Sequence, residues 1–193
     1  MEALQKYFSP TGDDASVRAI PGEGLDIPIW ILGSSTDSAR LAAAKGLPYA
    51  FASHFAPAHF LEAINLYREN FRPSAHLQQP YVMACVSAVV ARTDEEAEML
   101  STSLKQLFMG IVTGKRRPMQ PPVKSMEGLW NVFEEEAVMQ MLAYSFIGSQ
   151  DKVNAMLTDF VQQTGVNEVM ATSHIYDHAA RLTSYRLFAG CFR

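Results

Sequence analysis

The stretch IPIWILGSSTDS, residues 27–38, decides the fold class of this chain. Its first six residues are almost wholly apolar and the run stops at Gly33, which is typical of a strand buried on both faces, as in a parallel sheet. Helix-start residues follow at once, and Gly46 marks the end of a helix-forming segment. The sequence therefore predicts a strand that turns directly into a helix.

The same alternation of strand and helix continues along the chain. After the first strand we expect three more, at 49–53, 81–91 and 168–172. Helices are expected at 58–71, from 94 onward, and at 133–146, 151–164 and 177–188. Thr93 is expected to cap the helix that begins at 94. In the last helix, Leu182, Tyr185 and Leu187 are expected to be buried. This order needs right-handed crossovers and a mostly parallel sheet, so the fold class is α/β. About four strands fit either a small open α/β domain or part of an eight-stranded barrel.

Two segments are rich in turn-forming residues, which is typical of connections between helices and strands. Residues 1–26 combine the last turns of an amphipathic helix, over 1–8, with a linker rich in turn formers such as Gly12, Asp13 and Asp14. Residues 110–131 contain repeated Gly and Pro and are predicted to be an inserted loop or lid.

Composition narrows the class of protein. The 193 residues are 48% hydrophobic and 19% charged, which is typical of one soluble globular domain. The balance of 16 Lys and Arg against 20 Asp and Glu gives a net charge of −4, so we expect neither nucleic acid nor an anionic membrane as partner. Two separated cysteines, no secretory signal and no apolar run of about 18 residues predict a reduced, cytoplasmic protein.

Three serines follow the first strand, at Ser34, Ser35 and Ser38. A helix N-terminus offers unpaired N–H donors and partial positive charge, which suits a phosphate. The alternative is a capping box that runs from Ser34 to Asp37 and binds nothing. The glycines nearby match neither a dinucleotide fingerprint nor a P-loop.

Two histidines follow strands in the same way. His54 comes after the second strand and His174 after the last, so both lie at the carboxyl ends of parallel strands, where ligands bind. The alternative is that each is hydrogen-bonded within a loop. The spacings of His54 to His59 and of His174 to His178 lack a third ligand, so no metal site is expected.

Two charged features have an ordinary structural interpretation. Asp177 and Arg181 are spaced i, i+4 and are expected to form a clamp on the last helix. Lys115, Arg116 and Arg117 could meet an anionic ligand, although a charge run in a Pro-rich loop is usually solvated.

Three stretches together resemble the luciferase-like flavin monooxygenase family. They are IPIWILGSS at 27–35 with Ser38-Ala39 and Gly46-Leu47-Pro48, FASHFAP at 51–57, and IYDHxxRLxS at 175–184. Members of the single-chain, alkanal-monooxygenase-like bacterial branch carry such stretches in their second half. In this order and separation the combination is specific, while any one stretch is weak.

The resemblance implies a partial (β/α)8 TIM-type barrel, with this chain as its C-terminal half and four strands outside it. It implies reduced flavin mononucleotide (FMN), supplied by a partner reductase, that activates dioxygen to oxygenate a small organic substrate. By the family's pattern, Ser34, Ser35 and Ser38 would bind the flavin phosphate. His54 and His174 would line the pocket at the barrel mouth, without an assigned proton-transfer role.

Half a barrel would leave two sheet edges unpaired and an apolar inner layer exposed. We therefore expect self-association, pairing with a separate N-terminal half, or poor solubility, and activity only when the other half is present. A non-catalytic remnant or subunit that keeps the phosphate-binding turn is the alternative. A small α/β hydrolase or transferase is a third hypothesis, for which no Gly-x-Ser-x-Gly motif is present.

Overall fold

A computed structural model describes residues 2–10 and 17–192 of the chain. It divides into two compact units, Met1–Trp30 and Ile31–Arg193. The first unit holds helix α1 (Glu2–Phe8), which is the helix predicted over 1–8 and buries none of its residues. Within the same unit Gly24 N–H donates to the Phe8 carbonyl at 2.8 Å. The linker residues Gly12, Asp13 and Asp14 lie outside the described residues.

The second unit is built on a sheet in which every described pairing is parallel, which confirms the predicted α/β class. Its strands are β1 (Ile31–Gly33), β2 (Tyr49–Phe51), β3 (Val82–Ala91), β4 (Ser145–Ser149) and β5 (Glu168–Thr172).

The long strand β3 organises the sheet. Met83 has register partners in both β2 and β5, and Ser87 has partners in both β4 and β5. A strand has only two edges, so β5 occupies one edge of β3 while β2 and β4 share the other. Within the described residues β1 pairs with β2 alone and β5 with β3 alone, so the described sheet is open rather than closed.

Six helices accompany the strands among the described residues of this unit. They are α2 (Thr36–Lys45), α3 (Phe60–Asn70, after a 3₁₀ turn at Pro57–His59), α4 (Asp94–Val112), α5 (Val132–Met141), α6 (Gln150–Thr164) and α7 (His178–Gly190). Thr93 caps α4 as predicted, because its hydroxyl accepts from the Glu96 N–H at 3.2 Å. Helix α6 ends at Thr164, as predicted, and Gly165 follows it in the left-handed conformation at φ 61°. None of the described helices combines the length and the apolar character needed to cross a membrane.

The two faces of the sheet are covered differently. On one face Tyr49 and Phe51 pack against α3, with ring centroids 5.4 Å from Tyr67 and 5.4 Å from Phe60 respectively. The opposite face carries the register row that begins at Leu32, which is 66% exposed.

Along β3 the coverage of this opposite face changes. Met83 and Cys85 are buried, although Met170, the β5 partner of Cys85 on the same face, is 51% exposed. Farther along the same face, Val89 and Ala91 are buried in a cluster with α4 and α5. We call this side, from Leu32 to Ala91, the inner face.

Several predicted boundaries were wrong. Strand β1 begins at Ile31 rather than at 27, and β2 ends at Phe51 rather than at 53. Helix α4 extends to Val112, into the predicted loop over 110–131. The helix predicted over 133–146 ends at Met141, and Phe146 lies in β4, a strand the sequence did not indicate. A short apolar run is ambiguous between the two periodicities, and here pairing with β3 decides it.

The prediction of which residues of α7 are buried was also wrong. Leu182 and Tyr185 are 41% and 40% exposed, and Leu187 is only partly buried. Instead Ser184 and Phe188 are buried, one helical turn apart, and the Ser184 hydroxyl accepts from the Val90 N–H at 2.8 Å. The buried N–H of Val90 needs an acceptor, and a serine at position 184 provides one where a leucine could not.

Candidate functional site

The serine-rich turn joins β1 to α2. Ser35, not Ser34, is the N-cap of α2, with extended backbone angles and a hydroxyl that accepts from the Ser38 N–H at 3.4 Å. The predicted capping box from Ser34 to Asp37 was therefore wrong, because the cap is Ser35 and its hydroxyl accepts from Ser38. Ser35 is exposed and Ser34 is half-buried, so both lie at the surface of the turn.

The Ser38 hydroxyl holds this turn together. It donates to the Ser35 carbonyl at 2.6 Å, and the Tyr49 hydroxyl lies 2.9 Å from it and 3.1 Å from the same carbonyl. Burial raises the pKa of Tyr49, against a smaller lowering by Ser38, so the phenol stays protonated. A Cβ atom at Gly33 would overlap the Ser38 side chain, so glycine is needed for this close approach.

The two predicted histidines lie beyond the ends of β2 and β5. Ser53, just before His54, donates its hydroxyl to the Cys85 carbonyl at 2.7 Å and so ties this segment to the middle of β3. Ser173, just before His174, is held by a bond from its N–H to the Tyr185 hydroxyl at 3.0 Å. The Nδ1 atoms of both histidines are buried and have no hydrogen-bond partner in the described part of the chain.

Both rings are uncharged at neutral pH. Burial lowers the pKa of His54, and a hydrogen bond of the ring with the backbone of Cys85 opposes part of that change. Burial also lowers the pKa of His174, and the nearby His54 lowers it further.

The structure thus brings the predicted site residues to one edge of the sheet. The serine turn follows β1, His54 follows β2 and His174 follows β5, and the carboxyl ends of parallel strands share an edge. Ligands of open and closed α/β sheets bind at this edge.

Sequence reasoning missed two polar residues nearby. The hydroxyls of Ser87 in β3 and Ser145 in β4 are buried and unpartnered, and these residues are register partners. Ser87 is the only polar residue in the otherwise apolar β3 segment VMACVSAVVA, and this was the available signal. Ser145 carried no such signal, because its strand was not predicted.

The other charged candidates have separate roles. Lys115 and Arg117 line a cavity of about 280 Å³ beside the end of α4. Asp177 caps α7 by accepting from the Ala180 N–H at 2.7 Å. The predicted clamp was wrong, because the Arg181 guanidinium instead donates to the Ile175 carbonyl at 3.3 Å and lies 2.9 Å from His178 Nδ1.

No metal-binding cluster is present in residues 2–10 and 17–192, by the measure of three or more His, Cys, Asp or Glu side chains together. His59, the N-cap of α3, has its Nδ1 atom 3.4 Å from the Glu62 carboxylate in the first turn of that helix.

A parallel sheet with a serine turn and two histidines at its carboxyl edge defines an α/β protein whose candidate site lies where ligands of this class bind. The particular family follows from comparison with known proteins. The model of the luciferase-like monooxygenase family matches residues 5–168, and the chain belongs to this family.

Three comparisons show how far the likeness extends. A luciferase-like monooxygenase of Escherichia coli (strain K12) is 42% identical over 184 residues, which are 95% of this chain and 55% of the relative. The crystal structure of apo-MsnO8 superposes with a TM-score of 0.80 at 30% identity, over 99% of this chain and 58% of that one. The FMN complex of a type II Baeyer–Villiger monooxygenase, the oxygenating constituent of 3,6-diketocamphane monooxygenase from Pseudomonas putida, shares the fold, with a TM-score of 0.54 at 17% identity over 87% of this chain and 48% of that one. The chain therefore spans little more than half the length of the first two proteins.

Proposed function

We propose that this chain is the flavin-binding half of a luciferase-like (β/α)8 monooxygenase that uses FMN reduced by a partner reductase. When bound, reduced FMN would supply the activation of dioxygen for oxygenation of a small organic substrate. The observation that carries the proposal is the serine turn at the N-terminus of α2. The FMN in the Baeyer–Villiger relative supports the same cofactor.

The turn fits a phosphate group. Helix α2 has ten residues and an extended N-cap, so the N–H groups of its first turn point out of the helix at Ser35. Ser34 and Ser35 would add hydroxyl donors. Ser38, whose hydroxyl donates to the Ser35 carbonyl and whose N–H donates to the Ser35 hydroxyl, would fix the shape of the turn that binds the phosphate.

Additional strands would complete the sheet. Edges β1 and β5 each have one described partner, and Leu32 and Met170 are largely exposed on the inner face. Unpaired edges and an exposed apolar face both favour association. We propose that four further parallel strands, in this polypeptide or in a separate chain, close the barrel and cover this face.

FMN titration, followed by flavin fluorescence, tests the proposal. The chain is titrated alone and together with the part of the E. coli relative that it does not match. We expect binding when both parts are present, and Ser35→Ala should weaken it about tenfold, because a hydrogen bond to a charged group contributes about 1.5–3 kcal/mol.

Ser149→Ala is the matched control, since Ser149 also caps a helix directly after a strand but makes no side-chain cap bond. It should leave FMN affinity unchanged. Absence of FMN binding, both to the chain alone and to the chain with the complementing part of the relative, would overturn the proposal. Binding without turnover of an aldehyde, in the presence of a flavin reductase, would indicate the non-catalytic subunit instead.

A further inference from the structure

A cavity of about 280 Å³ lies beside the second half of α4, between this helix, the segment over 113–131 and the start of α5. Helix α4 begins at Asp94, just after the carboxyl end of β3, and at a rise of about 1.5 Å per residue the cavity wall at Gln106 lies about 18 Å farther along the helix. None of the described residues that line the cavity belongs to the serine turn or to the segments with His54 and His174. The cavity is therefore a different one from the candidate site at the edge of the sheet.

Two contacts with α4 fix the segment that forms one wall of the cavity. At its start, a Cβ atom added to Gly110 would lie 3.2 Å from the Lys115 carbonyl oxygen, so glycine permits the close approach of this backbone to the helix. Farther along, the Gln106 side-chain amide donates to the Pro121 carbonyl at 3.0 Å. The wall is thus held against α4 at two points, which lowers the cost of ordering it around a ligand.

The charges around the cavity do not balance. Lys115 and Arg117 line it and are exposed, and neither side chain has a hydrogen-bond or ion-pair partner within the described ranges 2–10 and 17–192. Glu134 also lines the cavity, but its carboxylate already accepts from the Asn131 N–H at 2.9 Å in the capping box of α5. Two unpaired cations therefore face this cavity in a chain whose net charge is −4, and they favour an anionic ligand.

The cavity also has an apolar part, to which Leu107, Met109, Pro118 and Leu129 contribute. Its volume of about 280 Å³ is roughly twice the ~150 Å³ of an engineered apolar cavity that binds benzene. It therefore has room for an organic group of the size of an aromatic ring in addition to an anionic group.

We propose that this cavity binds a small phosphate monoester, with Lys115 and Arg117 on the phosphate and the apolar residues against the organic group. An arginine fork donates to two phosphate oxygens at once, and a lysine ammonium adds a point charge. A phosphate monoester carries about −1.5 to −2 charges at neutral pH, which two cations match better than they match the single charge of a carboxylate. The site is additional to the flavin phosphate site proposed at the serine turn and does not depend on it.

Calorimetric titration of the full chain with phenyl phosphate at low salt tests this assignment. Inorganic phosphate and benzoate are titrated in parallel. We expect phenyl phosphate to bind most tightly, because only this ligand combines a phosphate with an apolar group, and its affinity should fall as salt screens the exposed cations. Benzoate binding as tight as that of phenyl phosphate would overturn the phosphate assignment.

Two arginine variants of equal charge locate the binding. Arg117→Gln should weaken phenyl phosphate binding about fivefold, which is the upper end for a partly solvated ion pair. Arg116→Gln removes the same charge from the same segment, but Arg116 does not line the cavity, so this variant should leave the affinity unchanged. Both side chains are exposed, so both variants should fold. Equal effects would overturn the proposal, because they would indicate general attraction to a basic segment.

The apolar part of the cavity has a test of its own. Leu129 is 47% exposed and lines the cavity, so Leu129→Ala should weaken phenyl phosphate binding about threefold and leave the affinity for inorganic phosphate unchanged. Equal loss of affinity for both ligands would overturn the placement of the organic group.

Ser35→Ala distinguishes this cavity from the serine turn. Because Ser35 does not line the cavity, the variant should leave phenyl phosphate affinity unchanged. If Ser35→Ala weakens the binding and Arg117→Gln does not, the ligand occupies the serine turn and the cavity proposal is rejected. Phenyl phosphate binding that depends on Arg117, in a chain that fails to bind FMN even with the complementing part of the relative, would reject the proposed function and leave the cavity site standing.

Discussion

Two buried serines should respond oppositely to the same substitution. Ser87 is 1% exposed and its hydroxyl has no partner, whereas Ser53 is 0% exposed and donates to the Cys85 carbonyl at 2.7 Å. Both Ser→Ala changes remove one oxygen from a buried site. They differ in whether a hydrogen bond is lost.

The magnitudes follow from that difference. An unsatisfied buried hydroxyl costs about 1–3 kcal/mol, so Ser87→Ala should raise the free energy of unfolding by about 1 kcal/mol. Ser53→Ala removes the buried hydrogen bond to the Cys85 carbonyl, so it should lower the free energy of unfolding by about 1–2 kcal/mol.

Urea denaturation of the ligand-free chain measures both variants. With a slope of about 2 kcal/mol/M, their midpoints should differ by about 1 M, on opposite sides of the unmodified chain. A Ser87→Ala variant that loses as much stability as Ser53→Ala would refute the reasoning. It would mean that the Ser87 hydroxyl has a firmly bound partner, such as water, in the ligand-free protein.

Three further outcomes are expected. Gly46→Ala should lower the free energy of unfolding by about 2–4 kcal/mol in thermal melts, because Gly46 has φ 60° and its added Cβ would lie 2.6 Å from the Ser74 Cβ; unchanged melting would contradict this. Arg68→Ala should cost about 1–2 kcal/mol and speed amide exchange at the end of α6, since its guanidinium donates to the Thr164 and Gly165 carbonyls at 2.7 and 2.6 Å; Arg68→Lys should recover only part of the loss. Stability should fall as the pH drops below about 6.5, because the unfolded chain takes up protons that His54 and His174, with lowered pKa values, accept only at lower pH. The loss of stability should level off once the pH falls below the pKa values of the two histidines in the folded chain. His174→Gln should reduce this loss. An identical pH profile of stability in the variant would contradict the attribution of the loss to His174.

Local chemistry made much of the fold predictable. Strand β1, its turn and helix α2 follow from residues adjacent in sequence, and the caps at Thr93 and Gly165 act within one helical turn. Strand β4 was not predictable in the same way. Its sequence SFIGS suits either a helix end or a strand, and only pairing with distant β3 selects the strand.

The candidate site likewise contains residues that the sequence could predict and one that it could not. The positions of His54 and His174 follow from the parallel topology, because residues after parallel strands meet at one edge. The position of Ser145 beside Ser87 depends on the register between β4 and β3, which no local sequence signal specifies. Sequence patterns therefore predicted which residues meet at the carboxyl edge, and the strand register shows which polar residues of the sheet lie beside each other.

The arrangement also separates two groups of polar residues across the sheet. The serine turn lies at β1, while Ser87 and Ser145 lie on β3 and β4, and β2 lies between the turn and β3. Since adjacent parallel strands are about 4.8 Å apart, the turn and Ser87 lie on the order of 10 Å from each other. The two groups share no side-chain hydrogen bond among the described residues. We therefore expect Ser35→Ala and Ser87→Ala to have additive effects on the free energy of unfolding, which urea denaturation of the double variant measures.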